Sequence, residues 1–470
     1  MDMKAMDRQI LGDIWTSGES YETLVHLCDV IGHRFGGSES ERHGAEYLKG
    51  KMVEYGFENV HIEEFPMASW GRGSCSLSIA EPIDRELSAI ALPYCPSATI
   101  TAAMIDVGDG EEEDFERLGE EVRGKIVLTN AETNKPGVKG RSHRNDKFAR
   151  AIAYGAVGCV FMNQNPGLLR ITGSLLGSDP TRDDAASREA AIPGIGISYE
   201  AGMTIRRFAK KSALSLTIKT DNRTFESTSR NVIGDIPGSE FPDEIVVIGA
   251  HFDGHDVSQG AGDDAAGTLS AMEAGRALAA FKGTIRRTIR IVAFGSEEIG
   301  LLGSNYHART HCGQTPQKTY RFVLNLDGAG RGETGTEFLR VLSLPDVQAY
   351  FEAAQDDMNY RFDVADVYSQ HSDQFPFAVR GIQTSQLITM ERSGGLVGRG
   401  WGHTEADTVD KVHLRGLQVS AALGARLALR IAQDDTFPAH RLGEDEVRDQ
   451  LTRAGILQRQ IDEGVFPPRN

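Results

Sequence analysis

Three stretches of the chain set histidine and carboxylate side chains directly behind apolar runs, and a fourth stretch adds a histidine. Ile245–Ala250 leads into His251-Phe-Asp253, and Asp263-Asp264 begins ten residues after Asp253. Thr288–Phe294 leads into Gly295-Ser-Glu297-Glu298, and Arg321–Leu326 leads into Asp327. Trp401-Gly-His-Thr-Glu-Ala-Asp407 adds His403. Imidazole and carboxylate donors without thiolate suit zinc or another borderline divalent metal in a hydrolytic site. Two histidines and three carboxylates exceed the three protein ligands of an ordinary catalytic zinc. They suit two metals that share a bridging carboxylate and hold a hydroxide between them. In the Glu297-Glu298 pair, one neighbour can bind metal while the other accepts a proton from the attacking water. A carboxylate two residues past His251, that of Asp253, can hold the free ring nitrogen and fix the tautomer. Any one of these residues alone would read as an ordinary loop or cap residue; their succession at strand ends carries the argument.

The elements that must position them follow from periodicity. Ile245–Ile248 is a continuous apolar run, as expected of a strand buried on both faces. An alanine-rich helix is expected over 265–281, a strand over Thr288–Phe294, a helix over 299–309, a strand over Arg321–Leu326 and a long helix over 413–432. In an open α/β sheet, ligand-binding residues collect beyond the carboxyl ends of the strands. Upstream, residues 19–31 have helical spacing. Ser38 with Glu41 reads as a capping box for a helix ended by Gly56, and a strand begins near Val60. Between about 96 and 225 the texture becomes β-rich, with strands at Lys125–Leu128 and Gly158–Phe161 and a helix at 148–156. The acidic run Glu111–Glu113 reads as a solvated loop, and 163–190 as a long surface loop. This middle stretch lacks clustered ligand-type residues. It is expected to cover or shape the entrance to the site. The segment 443–463 reads as one charged amphipathic helix, and 393–400 as a loop at the mouth.

Taken together, His251-Phe-Asp253, Gly262-Asp-Asp264, Glu297-Glu-Ile-Gly-Leu-Leu-Gly-Ser304, Asn325-Leu-Asp327 and His403-Thr-Glu-Ala-Asp-Thr408 resemble the di-zinc aminopeptidase family of co-catalytic metallopeptidases. Within it, the stretches Leu27–Gly37 and His251–Gly260 are most similar to the plasma glutamate carboxypeptidase (carboxypeptidase Q) branch. The resemblance covers nearly the whole chain. It implies an α/β fold with a mixed, largely parallel central sheet flanked by helices and an inserted β-rich protease-associated domain. The catalytic domain would comprise 1–95 and 226–470, and the insertion 96–225. It also implies roles: His251 and Asp327 on one metal, Glu298 and His403 on the other, Asp263 bridging, Glu297 as general base and Asp253 orienting His251. Asp373 matches the family's Ser-Asp element, but the histidine that usually follows is missing. Tyr368 and His371 are the candidates for steadying the oxyanion.

The composition is compatible with this chemistry and excludes others. With 50 Lys and Arg against 67 Asp and Glu, the net charge is −17, which argues against a nucleic-acid partner. The 470 residues can bury a core without disulfides, and the five scattered cysteines form no C-x-x-C pair. Absence of a long apolar run excludes a membrane span, and an acidic, non-apolar beginning points to the cytoplasm. His255, His307 and His311 read as surface or supporting residues. The expected activity is that of a zinc exopeptidase acting on N-terminal residues or dipeptides through a metal-bridging hydroxide, with two divalent ions. A homodimer is among the assemblies the chain allows. Aminopeptidase, dipeptidase and carboxypeptidase specificity stay open. The alternatives are acyl transfer of the glutaminyl cyclase type with one zinc, and a metal-free binding module. Counting metal per chain separates the three.

Overall fold

In the computed structural model the described residues are 2–133, 142–177, 189–313, 319–331, 335–342, 345–391, 400–438, 440–462 and 464–468. Two helices open the chain, α1 (Met3–Thr16) and α2 (Glu19–Val25), the latter continuing into a π-helical turn at His26–Ile31. Met6, Ile10 and Ile14 bury one face of α1. Helix α3 (Glu39–Glu54) starts at Ser38, whose hydroxyl accepts the Glu41 N–H at 3.1 Å. The return arm of the capping box is replaced. Glu41 turns inward instead, accepting the Gly37 N–H at 2.9 Å and the Ser229 hydroxyl.

The long strand β1 (Glu58–Glu81) leads to the β-rich middle of the chain. There β2 (Ala98–Gly108), β3 (Ile126–Asn130), β4 (Gly158–Met162) and β5 (Gly194–Ile197) lie side by side in parallel, with helix α4 (Arg144–Ala153) between β3 and β4 in sequence. β6 (Ser215–Ile236) returns antiparallel to β1 and also pairs with β2, so it joins this unit to the rest. Two expectations here are corrected. Glu111–Glu113 do not form a solvated loop; Glu111 precedes the helix Glu112–Leu118 and its carboxylate accepts the Ser142 N–H at 3.2 Å. Acidic residues in a first turn favour the positive end of the helix dipole. Residues 163–177 have no helix or strand, yet Asn163, Ile171, Thr172, Ser174 and Leu175 are buried. The remainder of that segment, 178–188, lies outside the described residues, as does 393–399.

The second half alternates β7 (Phe241–His251), α5 (Ala266–Ala279), β8 (Arg287–Phe294), α6 (Leu302–His311), β9 (Thr319–Asn325), β10 (Gly335–Leu342), β11 (Thr384–Glu391) and α7 (Leu414–Gln433). Across the sheet the order is β10, β11, β9, β7, β8, β6. The four central strands, β11, β9, β7 and β8, are mutually parallel, whereas β6 and β10 join antiparallel. This is the mixed, largely parallel sheet expected. Val246, Ile248, Ile289, Ile291, Phe322 and Leu324 bury the strands against α5 and α7 in the largest core. The C-terminal segment is two helices, Glu444–Arg453 and Leu457–Asp462, because Gly455 at φ +74° breaks the expected single one. Among the described residues, no helix is long and apolar enough to cross a membrane.

Candidate metal centre

Three adjacent parallel strands end on one edge of the sheet. β7 ends at His251, β8 ends three residues before Glu297, and β9 ends two residues before Asp327. All five ligand candidates meet there. His251 Nε2 lies 3.7 Å from Asp263 Oδ1 and 3.9 Å from Asp327 Oδ1. His403 Nε2 lies 3.0 Å from Glu298 Oε2 and 3.5 Å from Asp263 Oδ2. Asp263 thus turns one oxygen toward each set. The donor atoms of His251, Asp263 and Asp327 all fall within 4.8 Å of one another, and so do those of His255, Glu298 and His403. His255 is the residue the sequence left aside. It is only 2% exposed, and its Nε2 is 3.1 Å from the same Glu298 oxygen that His403 approaches. Its H-x-D-G-H spacing from His251 was the available signal. Buried nitrogen and oxygen donors gathered this closely fit divalent metal ions.

Neighbouring groups fix the donors. His251 Nδ1 faces the Asp253 carbonyl at 3.2 Å and its Oδ1 at 3.4 Å, which leaves Nε2 for the cluster. Asp253 also does something spacing could not reveal: its carboxylate accepts the backbone N–H of Glu297 at 3.0 Å and of Glu298 at 3.3 Å. It therefore ties the loops after β7 and β8 together. Asp407 accepts the N–H groups of Gly262 and Asp263 at 2.7 and 3.1 Å and so shapes the turn that presents Asp263. Asp264 accepts from Gly267 and Gly328 at 3.2 and 3.1 Å, and the Ser372 hydroxyl donates to Asp327. Arg34, fully buried, donates to the carbonyls of Phe252, Gln259 and Gly260 at 2.6, 2.7 and 2.9 Å. One side chain from the Leu27–Gly37 stretch thereby holds the whole loop between His251 and Asp263. Arg331 was missed by sequence reasoning: its Nη2 is 2.7 Å from Asp263 Oδ1 and its Nε donates to the Gly262 carbonyl at 2.6 Å. Ser296 and His403, beside and within the cluster, adopt left-handed φ values of +56° and +60°.

Electrostatics separate the two neighbouring glutamates. Burial acts upward on both carboxyls. At Glu297 it prevails and the carboxyl stands well above its ordinary range. At Glu298 the imidazoles of His255 and His403 outweigh burial and hold it well below. Burial likewise lifts Asp373 to about 7 and Asp407 to about 6. Of the oxyanion candidates, His371 lines the cleft beside Glu297 and Glu298, whereas Tyr368 packs its ring on Phe375, 6.0 Å between centroids.

The β-rich unit reaches this cleft. His143 stacks on His371 with ring centroids 4.1 Å apart, and Arg170 pairs with Glu405 at 2.5 Å. Thr172 donates its N–H to the His403 carbonyl at 2.9 Å, and its own carbonyl faces His403 Nδ1 at 3.2 Å. The contact that orients His403 therefore comes from the middle of the chain.

Residues 231–428 match Peptidase family M28, and residues 91–205 match the PA domain. The protein is a metallo-exopeptidase, and its residues 231–428 are similar to Peptidase family M28. Every candidate ligand, Glu297 and Asp253 lie inside the M28 match. Carboxypeptidase Q of Bos taurus is 27% identical over 338 residues, 69% of this chain and 68% of the relative. Aminopeptidase YwaD of Bacillus subtilis (strain 168) is 26% identical over 408 residues, 86% of this chain and 82% of the relative. Among solved structures, an M28 peptidase precursor from Shewanella amazonensis SB2B shares the fold with a TM-score of 0.75 at 23% identity, covering 92% of this chain and 97% of that one.

Proposed function

We propose that the M28 site is co-catalytic, holds two zinc ions, and hydrolyses N-terminal residues of peptides or dipeptides. The observation that carries this reading is Asp263, whose two oxygens face His251 and His403 separately, 3.7 and 3.5 Å away. In this reading His251 and Asp327 hold one ion, Glu298 and His403 hold the other with His255 at hand, and Asp263 bridges. Bound there, the ions supply Lewis acidity to the scissile carbonyl and to the attacking water. Glu297 takes the proton from that water and returns it to the leaving amine. Asp253 keeps His251 in its ligating tautomer, and His371 at the cleft wall is the residue offered to the developing oxyanion. Aminopeptidase and carboxypeptidase Q relatives support an exopeptidase. A zinc aminopeptidase of Bacillus subtilis, BSAP, shares the fold with a TM-score of 0.64. We take the catalytic domain as 1–95 and 226–470 and the insertion as 96–225. We place the protein in the cytoplasm, on five cysteines that are all unpaired.

The test compares Glu297→Gln with Glu298→Gln. The first should keep both metals and lose roughly a hundredfold to ten-thousandfold in kcat, with little change in KM. The second should lose one metal, with activity partly recovered at high zinc. Metal loss in Glu297→Gln together with the full wild-type metal count in Glu298→Gln would reverse the assignment of base and ligand. One ion in the cluster of His251, Asp263, Asp327, Glu298 and His403 would favour the cyclase-type alternative, and none there the binding module.

A further inference from the structure

A second group of donors, sharing no residue with the catalytic cluster, lies at the far end of helix α6. His307 and His311 are four residues apart and so occupy one face of that helix, their ring centroids 4.5 Å apart. Glu63 of β1 crosses to meet both: Oε2 is 2.9 Å from His307 Nδ1, and Oε1 is 2.5 Å from His311 Nε2. The three donor atoms all fall within 4.8 Å of one another. We propose that Glu63, His307 and His311 form an additional binding site for one divalent cation of the zinc type, and that an ion there clamps the base of the Glu297–Glu298 loop.

Three features support the site. Two imidazoles and one carboxylate are a complete protein donor set for a zinc that keeps one position open to water. The His307 side chain is fully buried and that of Glu63 is 11% exposed, while His311 is 38% exposed, so an ion has a route in from solvent. The supporting contacts also have the form a metal site needs. His307 Nε2 lies 2.9 Å from Tyr320 Oη, which accepts from Arg290 at 2.8 Å, and Arg290 is held in turn by Asp235 at 2.8 and 3.0 Å. That chain fixes the ring and leaves Nδ1 for the ion. Binding requires the donors to open by a few tenths of an ångström from hydrogen-bonding to ligating separations, with the carboxylate taking the ion in place of two imidazole protons.

The clamp follows from Asn231. Its amide donates to Glu63 Oε2 at 2.9 Å and to the Gly303 carbonyl at 2.9 Å, while its oxygen accepts the Gly295 N–H at 3.1 Å. Gly295 and Gly303 are the two ends of the loop that carries Glu297 and Glu298, and the Gly303 N–H bonds the Gly295 carbonyl at 3.0 Å. Fixing Glu63 between two histidines fixes Asn231, and Asn231 fixes both ends of the loop.

The experiment strips the full-length protein with chelator, titrates it with zinc and separately with cobalt, and counts bound metal on the folded, gel-filtered fraction. Wild type should hold one ion more than His311→Ala and one more than Glu63→Gln, with that ion's affinity reduced roughly a hundredfold or more in each variant. The comparison is a difference of one, so it stands whatever number the catalytic cluster holds, and two variants guard against a folding defect in either. Hydrogen exchange supplies the second readout: zinc bound at Glu298 slows exchange across 295–303 in both proteins, and added zinc should slow it further in wild type than in His311→Ala. Equal metal counts in wild type and both variants would overturn the site. A count lower by one with equal slowing of exchange in wild type and His311→Ala would overturn the clamp.

Discussion

Replacing Asp253 with asparagine changes one oxygen for one amide group and leaves the shape of the side chain intact. In the native structure both carboxylate oxygens are used, Oδ1 by the Glu297 N–H at 3.0 Å and Oδ2 by the Glu298 N–H at 3.3 Å. Asparagine has one acceptor. Whichever way it turns, its NH2 group meets one of those two N–H groups. That leaves a buried donor unsatisfied, at a cost of about 1–3 kcal/mol. The surviving bond loses its charge-assisted strength, a further ~1 kcal/mol. The expected destabilisation is about 2–4 kcal/mol, readable as a lower urea midpoint at unchanged slope. If the loop yields instead of the whole domain, Glu297 shifts, and a displacement near 1 Å costs on the order of a hundredfold in turnover. The assay measures urea unfolding and kcat with saturating zinc on the same preparation. A variant with wild-type midpoint and kcat within twofold of wild type would refute the claim that Asp253 ties the two loops together.

Other outcomes follow from single contacts. Gly303→Ala would place a Cβ 2.2 Å from Asn231 Oδ1 and 2.4 Å from the Gly295 carbonyl, so it should cost about 1–3 kcal/mol in urea unfolding and reduce kcat. Wild-type behaviour would show that the loop ends are not tightly apposed. Glu41 makes stability fall as pH rises: burial pushes its folded pKa up to about 8 from 4.5, so the unfolded chain releases its proton first between those values. The integrated effect approaches ~5 kcal/mol by pH 8 and is absent below 4.5. Glu41→Gln should remove that slope, and identical pH profiles of the two proteins would contradict it. Chelation should abolish activity while far-ultraviolet circular dichroism stays unchanged, because the core between the sheet, α5 and α7 is built of apolar side chains and includes none of the five candidate ligands; global unfolding would sink this expectation.

How much of this could be read from the chain depends on where each residue's partner lies. β7, β8 and β9 were legible because strands buried on both faces appear as unbroken apolar runs, and candidate ligands stand immediately behind them. Glu111 was misread because a solvated acidic run and an acidic helix start have the same composition; only Thr133 and Ser142, far along the chain, distinguish them. Residues 163–177 were misread because their polar groups bond locally and to Arg144, as when Asn163 donates to the Leu169 carbonyl at 3.1 Å, which lets Asn163, Thr172 and Ser174 be buried alongside the apolar Ile171 and Leu175. The spacing of His307 and His311 was visible, but Glu63 arrives from a strand more than two hundred residues earlier. Arg34 and Arg331 likewise act on carbonyl groups and carboxylates that sequence alone does not bring near.

Thr172 gives the accessory unit a share in the chemistry. Because its carbonyl faces His403 Nδ1, docking of that unit and orientation of a candidate ligand are one equilibrium viewed from two ends. Under the proposed assignment of His403 and Glu298 to one ion, linkage runs both ways: whatever lifts the unit away would weaken the hold on that ion, and the ion would draw the unit down by the same free energy. A chain trimmed of its middle would therefore lose metal affinity as well as a wall of the cleft. Conversely, the openness of the entrance would vary with the metal supply around the protein.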